Sequence, residues 1–403
     1  MTLPTGDPAQ HGFDPARLAR LDAHFRRYVD AGQLPGFQVL VARHGELVHA
    51  ASAGWRDAER AVAWGDDPIV RLFSMTKPIT SVAAMMLYEE GAFELKDPVS
   101  RFIPSFAEAR VYREGSTQKP LTDPVVEPLR IWHLLTHTSG LTYGFHHQHV
   151  TDALYRNAGF EWGSPAGLDL AGCCDAWAGL PLAFQPGSEW LYGYSTDVLG
   201  RVVEVVSGMP LDEFFRTRIF EPLGVHETWF RVPEAVRDRC TGLWLAGPDG
   251  LAHASPIDLN SPDGMPWLSG GGGLWGTASD YLEFASMLLR RGDGLLGSRT
   301  VDYMTRNHLP GNADLEAFGR PLFAETTFDG VGFGLGFSVL LDPAGNKTLS
   351  SAGDYSWGGA ASTFFWNDPT EQISVVFLTQ LVPSSALPIR PQLRQLVNQA
   401  LID

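Results

Sequence analysis

The chain has 403 residues, 44% hydrophobic and 19% charged, an ordinary globular balance long enough for two or three structural units. A formal charge of -16 and a pI near 5.1 argue against a nucleic-acid or anionic-membrane partner. Cys173, Cys174 and Cys240 make neither a disulfide framework nor a zinc spacing, so no metal or other cofactor is expected.

At the N-terminus, 1–13 lacks the basic and apolar regions of a secretory leader, and no apolar run reaches membrane-spanning length. A cytoplasmic protein with no membrane partner is expected. Leu18, Leu21, Phe25 and Tyr28 recur at helical spacing, with Asp14 as N-cap before Pro15. Two strands, 36–42 and 47–51, follow as an antiparallel hairpin across Arg43-His44-Gly45-Glu46. A helix ending near Gly91 runs from the stretch around Ser74, and Leu95-Lys96-Asp97-Pro98 reads as a turn.

The span from about 98 to 285 is rich in helical patterns and long loops. Helices are expected at 199–206, closed by Ser207-Gly208, at 211–220, and at 281–289 with Asp280 as cap. The last quarter turns β-rich at 332–341, 361–366 and 373–378, with turns at Asp342-Pro343-Ala344-Gly345 and Asn367-Asp368-Pro369, before a helix over 387–401. Strands at both ends and helices between them predict an α/β protein. One antiparallel sheet, flanked by terminal helices, would be built from 1–80 and 285–403. Residues 81–284 would form a mostly helical domain, with an active site in the cleft between the two.

Ser74 and Lys77 form an S-x-x-K pair. On a helix, residues three apart share a face, so the Lys77 amine would lie beside the Ser74 hydroxyl. A serine becomes a nucleophile when a neighbour takes its proton, and a helix N-terminus favours a developing oxyanion. Lysine occurs only at 77, 96, 119 and 347. Further along, Trp190-Leu191-Tyr192-Gly193-Tyr194 offers two tyrosines, either of which could act as base beside the Lys77 charge. Trp357-Gly358-Gly359-Ala360 precedes a strand, and glycines there allow a ligand close to backbone N–H groups, with Ser74 N–H as the second donor of an oxyanion hole.

Three other stretches read as structural. His137, within 131–141, is expected to cap or bridge backbone. The 269–277 loop lacks the Lys-Ser/Thr ending of a phosphate loop. His146, His147 and His149 read as a loop bordering the cleft, since no cysteine partner lies nearby for a metal.

Together, Ser74-Met75-Thr76-Lys77-Pro78, His133-Leu134-Leu135-Thr136-His137-Thr138-Ser139-Gly140-Leu141 and Gly271-Gly272-Gly273-Leu274 resemble, in order and spacing, the β-lactamase-related serine hydrolases. That family includes class C β-lactamases, D-Ala-D-Ala carboxypeptidases and family VIII carboxylesterases. The resemblance runs from about residue 14 to the C-terminus and implies a class C β-lactamase-like fold. Because the family tyrosine falls five residues after the glycine of a Pro-Gly pair, counting from Gly187 implies Tyr192 as base, with Tyr194 as alternative. The family's Lys-Thr-Gly or His-x-Gly motif is here Trp357-Gly358-Gly359, with Ala360 N–H as second oxyanion donor. Without a Lys or His to meet a carboxylate, the resemblance points to the esterase branch.

The expected function is therefore a serine carboxylesterase acting on short-chain, small-molecule esters through a Ser74 acyl-enzyme with Lys77 and Tyr192. Trp357, Gly358, Gly359 and Tyr194 would border the substrate. A β-lactamase, a D-amino-acid peptidase, an acyltransferase on the same fold and a non-enzymatic ligand binder are the rivals. An α/β-hydrolase is disfavoured because the chain has no G-x-S-x-G.

Overall fold

The computed structural model describes residues 3–57, 59, 61–248, 250–254, 260–320 and 328–402. Of the stretch read for a leader, Met1 and Thr2 lie outside the described residues.

Helix α1 (Pro15–Asp30) begins where Asp14 accepts the N–H groups of Ala16 and Arg17, with Pro15 at the position where its missing N–H costs no hydrogen bond. Strands β1 (Gly36–Arg43) and β2 (Glu46–Gly54) pair through a two-residue turn. His44 and Gly45 both take positive φ there, 53° and 82°, the sense that matches strand twist. Helix α2 (Thr76–Glu89) ends before Gly91, whose φ is 73°. Helix α3 (Ser195–Ser207) stops at Gly208 in the left-handed conformation.

Helix α4 (Ala278–Leu289) is capped by Thr277 rather than by the expected Asp280. The Asp280 carboxylate accepts instead from Glu227 N–H and Thr228 Oγ1, a tertiary role that withdraws it from its own helix. The continuous helix expected at 211–220 changes winding, from α over Leu211–Phe215 to π over Arg216–Phe220.

Five C-terminal strands follow: β3 (Val331–Phe333), β4 (Ser338–Leu340), β5 (Tyr355–Gly358), β6 (Phe364–Asp368) and β7 (Ile373–Leu378). The sheet order is β3-β4-β5-β6-β7-β1-β2, all neighbours antiparallel, so the N-terminal hairpin adds to the C-terminal strands through Gln38 opposite Leu378. Strand β5 falls in the glycine-containing stretch expected to precede a strand. The strand expected from Ala361 starts at Phe364, because Ser362 takes a φ of 65° and its N–H returns to Gly359 O. The turn expected at 342–345 is a one-turn helix, Pro343–Asn346, capped by Asp342. Asn367 and Asp368 end β6 instead of turning, and Asp368 caps the following Thr370 and Glu371 N–H groups.

Alternation along the strands buries both faces of the sheet. Phe37, Val39, Val41, Val375 and Phe377 face Leu18, Leu21 and Phe25 of α1 and Ile389, Leu393 and Val397 of α5 (Ile389–Asn398). Leu40, Ala42, Phe365, Val376 and Leu378 face the other way, into the larger core shared with α2, α3 and α4. The intervening region is mostly helical and also carries hairpins, among them Arg110–Ser116 with Lys119–Pro124. Among the described residues no helix is long and apolar enough to cross a membrane.

Candidate active site

Ser74 sits in a single 3₁₀ turn, Phe73–Met75, that leads into α2. The residue before it, Phe73, has a φ of 47°, a conformation costly for a bulky side chain. Surrounding bonds hold it there. Leu72 N–H donates to Leu274 O at 2.9 Å, Leu274 N–H donates to Thr76 Oγ1 at 3.2 Å, and the Tyr281 hydroxyl donates to Met75 O at 2.9 Å. Nothing in the sequence pattern announces this strained residue, since the strain is imposed by distant partners.

Lys77 is 1% exposed, and its ammonium is met on several sides. It donates to Gly271 O at 2.6 Å and to Ser74 Oγ at 3.2 Å, and lies 4.5 Å from the Tyr192 ring centroid and 5.5 Å from that of Tyr143. A buried cation needs such compensation. An ammonium that donates to Ser74 Oγ has no lone pair with which to accept a proton from it.

Tyr192 lies beside this pair, its ring 4.5 Å from the Lys77 ammonium. Its hydroxyl accepts the Trp357 indole N–H at 3.2 Å, and Ser74, Tyr192 and Trp357 border one cavity of about 130 Å³. The tyrosine backbone is held by His146, whose Nε2–H donates to Tyr192 O at 2.7 Å, and its ring lies 4.9 Å from that of His137. Tyr194 differs. Its hydroxyl donates to Phe160 O at 3.3 Å and its ring stacks on Trp177 at 4.2 Å, and it borders a second cavity of about 110 Å³ rather than the first. Gly193 separates the two because a Cβ there would lie 2.1 Å from Leu141 O.

Gly358, Gly359 and Ala360 follow Trp357 along the first cavity. A Cβ on Gly359 would lie 2.4 Å from Leu72 O and 2.3 Å from Thr363 Oγ1, so glycine is what lets this segment pass beside the Ser74 turn. A Cβ on Gly358 would lie 2.4 Å from an Arg390 guanidinium nitrogen.

Sequence reasoning missed Asp197. This carboxylate in α3 is 1% exposed; its Oδ1 accepts from Ser269 Oγ at 2.5 Å and from Gly271 N–H at 3.1 Å. Burial pushes its carboxyl above the ordinary value, while the Lys77 charge and these donors pull it back. It thereby fixes the glycine-rich loop whose Gly271 carbonyl holds Lys77. An aspartate directly before the apolar helix positions Val198, Leu199, Val202 and Val203 was the available signal.

The histidines take structural positions. His137 accepts Leu191 N–H on its backbone carbonyl at 2.9 Å, and burial, then the nearby Lys77 charge, hold its imidazole well below the ordinary range. His147 pairs with Glu161 at 2.9 Å, and His149 caps the helix Val150–Asn157. The three loop histidines thus point to separate partners, and no group of metal-ligating side chains occurs among the described residues.

A family profile described as Beta-lactamase matches residues 21–399. Esterase EstB of Burkholderia gladioli is 34% identical over 399 residues, covering 94% of this chain and 94% of that protein. Lovastatin esterase of Penicillium rubens is 30% identical over 390 residues, covering 90% and 92%. Among solved structures, EstCE1, described as a hydrolase with promiscuous acyltransferase activity, superposes with a TM-score of 0.81 at 29% identity, covering 95% of this chain and 99% of that one. The architecture is that of the class C β-lactamase-like α/β fold, an antiparallel sheet with a helical domain.

Proposed function

We propose that this chain, which belongs to the Beta-lactamase family, works as a serine carboxylesterase on short-chain esters. In this reading Ser74 Oγ attacks the ester carbonyl and its proton passes to the Tyr192 oxygen. The N–H groups of Ser74 and Ala360 receive the oxyanion. Collapse of the tetrahedral intermediate breaks the bond to the alcohol oxygen, which takes the proton from Tyr192. Water then repeats the sequence on the acyl-enzyme and releases the acid. Lys77 keeps a positive charge beside both Ser74 and Tyr192 throughout.

The observation that carries the reading is the bond from Trp357 Nε1–H to Tyr192. At the position where family members present Lys or His to a carboxylate, this chain presents an aromatic wall whose single donor is turned to the tyrosine. The esterase names of its relatives support the same branch over β-lactam or D-peptide substrates. The division into 1–80 with 285–403 and 81–284, with the site in the cleft between them, belongs to this proposal; helix α2 runs across position 80.

Ser74→Ala assayed on p-nitrophenyl acetate and butyrate should abolish turnover, and retained turnover would sink the assignment. Nitrocefin should be cleaved far more slowly than either ester. A second reading, acyl transfer to an alcohol, is favoured by the transferase activity named for EstCE1. Formation of a new ester when an alcohol is added to the butyrate assay would support it.

A further inference from the structure

Two cavities meet at Ser74. Ser74, Ala360, Phe145 and Trp162 border both, whereas Tyr192 and Trp357 border only one. The other is walled by Phe73, Tyr143, Met265 and Trp267. Phe145 and Trp162 stack at 4.4 Å between ring centroids, a shared aromatic wall along both spaces.

We propose that the ester is divided between these cavities, its acyl chain entering the one walled by Phe73, Tyr143, Met265 and Trp267 and its alcohol lying in the one that contains Tyr192. The assignment rests on the serine-esterase reading above. A tetrahedral intermediate has four substituents on carbon. Ser74 Oγ is one, and the oxyanion directed to the Ser74 and Ala360 N–H groups is another, both on the shared border. The remaining two, the acyl carbon and the alcohol oxygen, must diverge. The alcohol oxygen has to reach the group that returns the proton, and a proton donor acts only within hydrogen-bond distance or through one water. Tyr192 borders one cavity alone, so the alcohol goes there and the acyl chain takes the other.

The two spaces differ in chemistry. Apart from Ser74, Asn260 and Ser269, the acyl side is mainly aromatic and apolar, with Glu161 and Asp197 in its wall and no lysine or arginine among its described lining residues. It suits an uncharged acyl group and disfavours one ending in a carboxylate. The alcohol side carries the Ser338 and Ser356 hydroxyls, 2.9 Å apart, which suit an alcohol bearing polar groups.

The test uses the full chain and two ester series. One keeps p-nitrophenol and varies the acyl group through acetate, butyrate, octanoate and hemisuccinate; the other keeps acetate and varies the alcohol through ethanol, benzyl alcohol and 1-naphthol. Met265→Ala and Met265→Trp should shift the octanoate-to-acetate ratio of kcat/KM in opposite directions, each on the order of tenfold, and leave the alcohol series in its order. Val331→Ala and Val331→Trp, on the alcohol side, should shift the alcohol ratios and leave the acyl ratios. Hemisuccinate should be turned over at least tenfold more slowly than butyrate. Fluorophosphonate labelling of each variant reports a folded site, and the two replacements at each position guard against loss of one. Crossed effects, or ratios that no correctly labelled variant moves, overturn the assignment. Turnover surviving in Ser74→Ala overturns the esterase reading itself, a different outcome.

Discussion

Trp357 donates its indole N–H to the Tyr192 hydroxyl oxygen across 165 residues of sequence separation, at 3.2 Å. When that oxygen has given up its proton, the bond becomes charge-assisted, and such bonds contribute about 1.5–3 kcal/mol. Trp357→Phe keeps an aromatic wall and removes the donor. Its kcat on p-nitrophenyl acetate should fall by roughly 10- to 100-fold, with folding temperature nearly unchanged; an unchanged kcat would remove Trp357 from the mechanism.

Tyr192 and Tyr194 should separate cleanly. Tyr192→Phe loses the proposed proton acceptor, a contribution typically of about 10²–10⁴ in rate. Tyr194→Phe loses only a buried bond to Phe160 O and should cost about 1 kcal/mol of stability with kcat preserved. Steady-state kinetics beside urea unfolding of the two variants decides it, and a larger kcat loss in Tyr194→Phe would reverse the roles.

Gly271 has no room for a side chain, because a Cβ would lie 2.2 Å from Asp197 Oδ2. Gly271→Ala must move either the carboxylate or the loop whose carbonyl holds Lys77. Overpacking of this kind costs typically about 1–3 kcal/mol, and the displaced Lys77 should lower kcat as well. Thermal unfolding together with ester kinetics measures both, and a fully active, equally stable variant would contradict the role given to this loop.

His133 ties acid sensitivity to a buried neutral imidazole. Its Nδ1 accepts Arg130 N–H at 3.1 Å, which only the neutral ring can do, and burial, then the Arg130 charge, lowers its pKa from 6.5 to about 4. Between those values the unfolded chain binds the proton that the folded chain refuses. Stability is therefore full above about pH 6.5 and is lost as pH falls toward about 4. In His133→Asn that slope should be shallower, as followed by unfolding midpoints across the window. An unchanged slope would assign the acid sensitivity to other groups, such as His137 and His146, which burial also lowers.

Much of this protein was legible in local pattern. The S-x-x-K spacing brings Ser74 and Lys77 to 3.2 Å because both lie in the first turns of one helical segment. The His44-Gly45 hairpin, the Asp14 cap and the strands β1 and β7 depend on neighbours a few residues away. Even the joining of the two ends of the chain in one sheet follows from where the strand-forming stretches fall. The strand Tyr355–Gly358 was not legible in the stretch 353–360; its Gly358 lies close to Arg390, and Gly359 just after it lies close to Leu72.

What only the tertiary structure decided is which side chains meet. Tyr192 and Tyr194 are two residues apart and alike in type, yet Gly193 packs against Leu141 and one hydroxyl turns to Trp357 while the other turns to Phe160. Asp197 reaches Gly271, and Gly271 reaches Lys77, through contacts between segments far apart in the chain. Local sequence sets conformation over a few residues because it acts through steric and hydrogen-bond preferences of that range. Long-range contacts form only when the whole core has packed, and a site built from four separate segments is decided there.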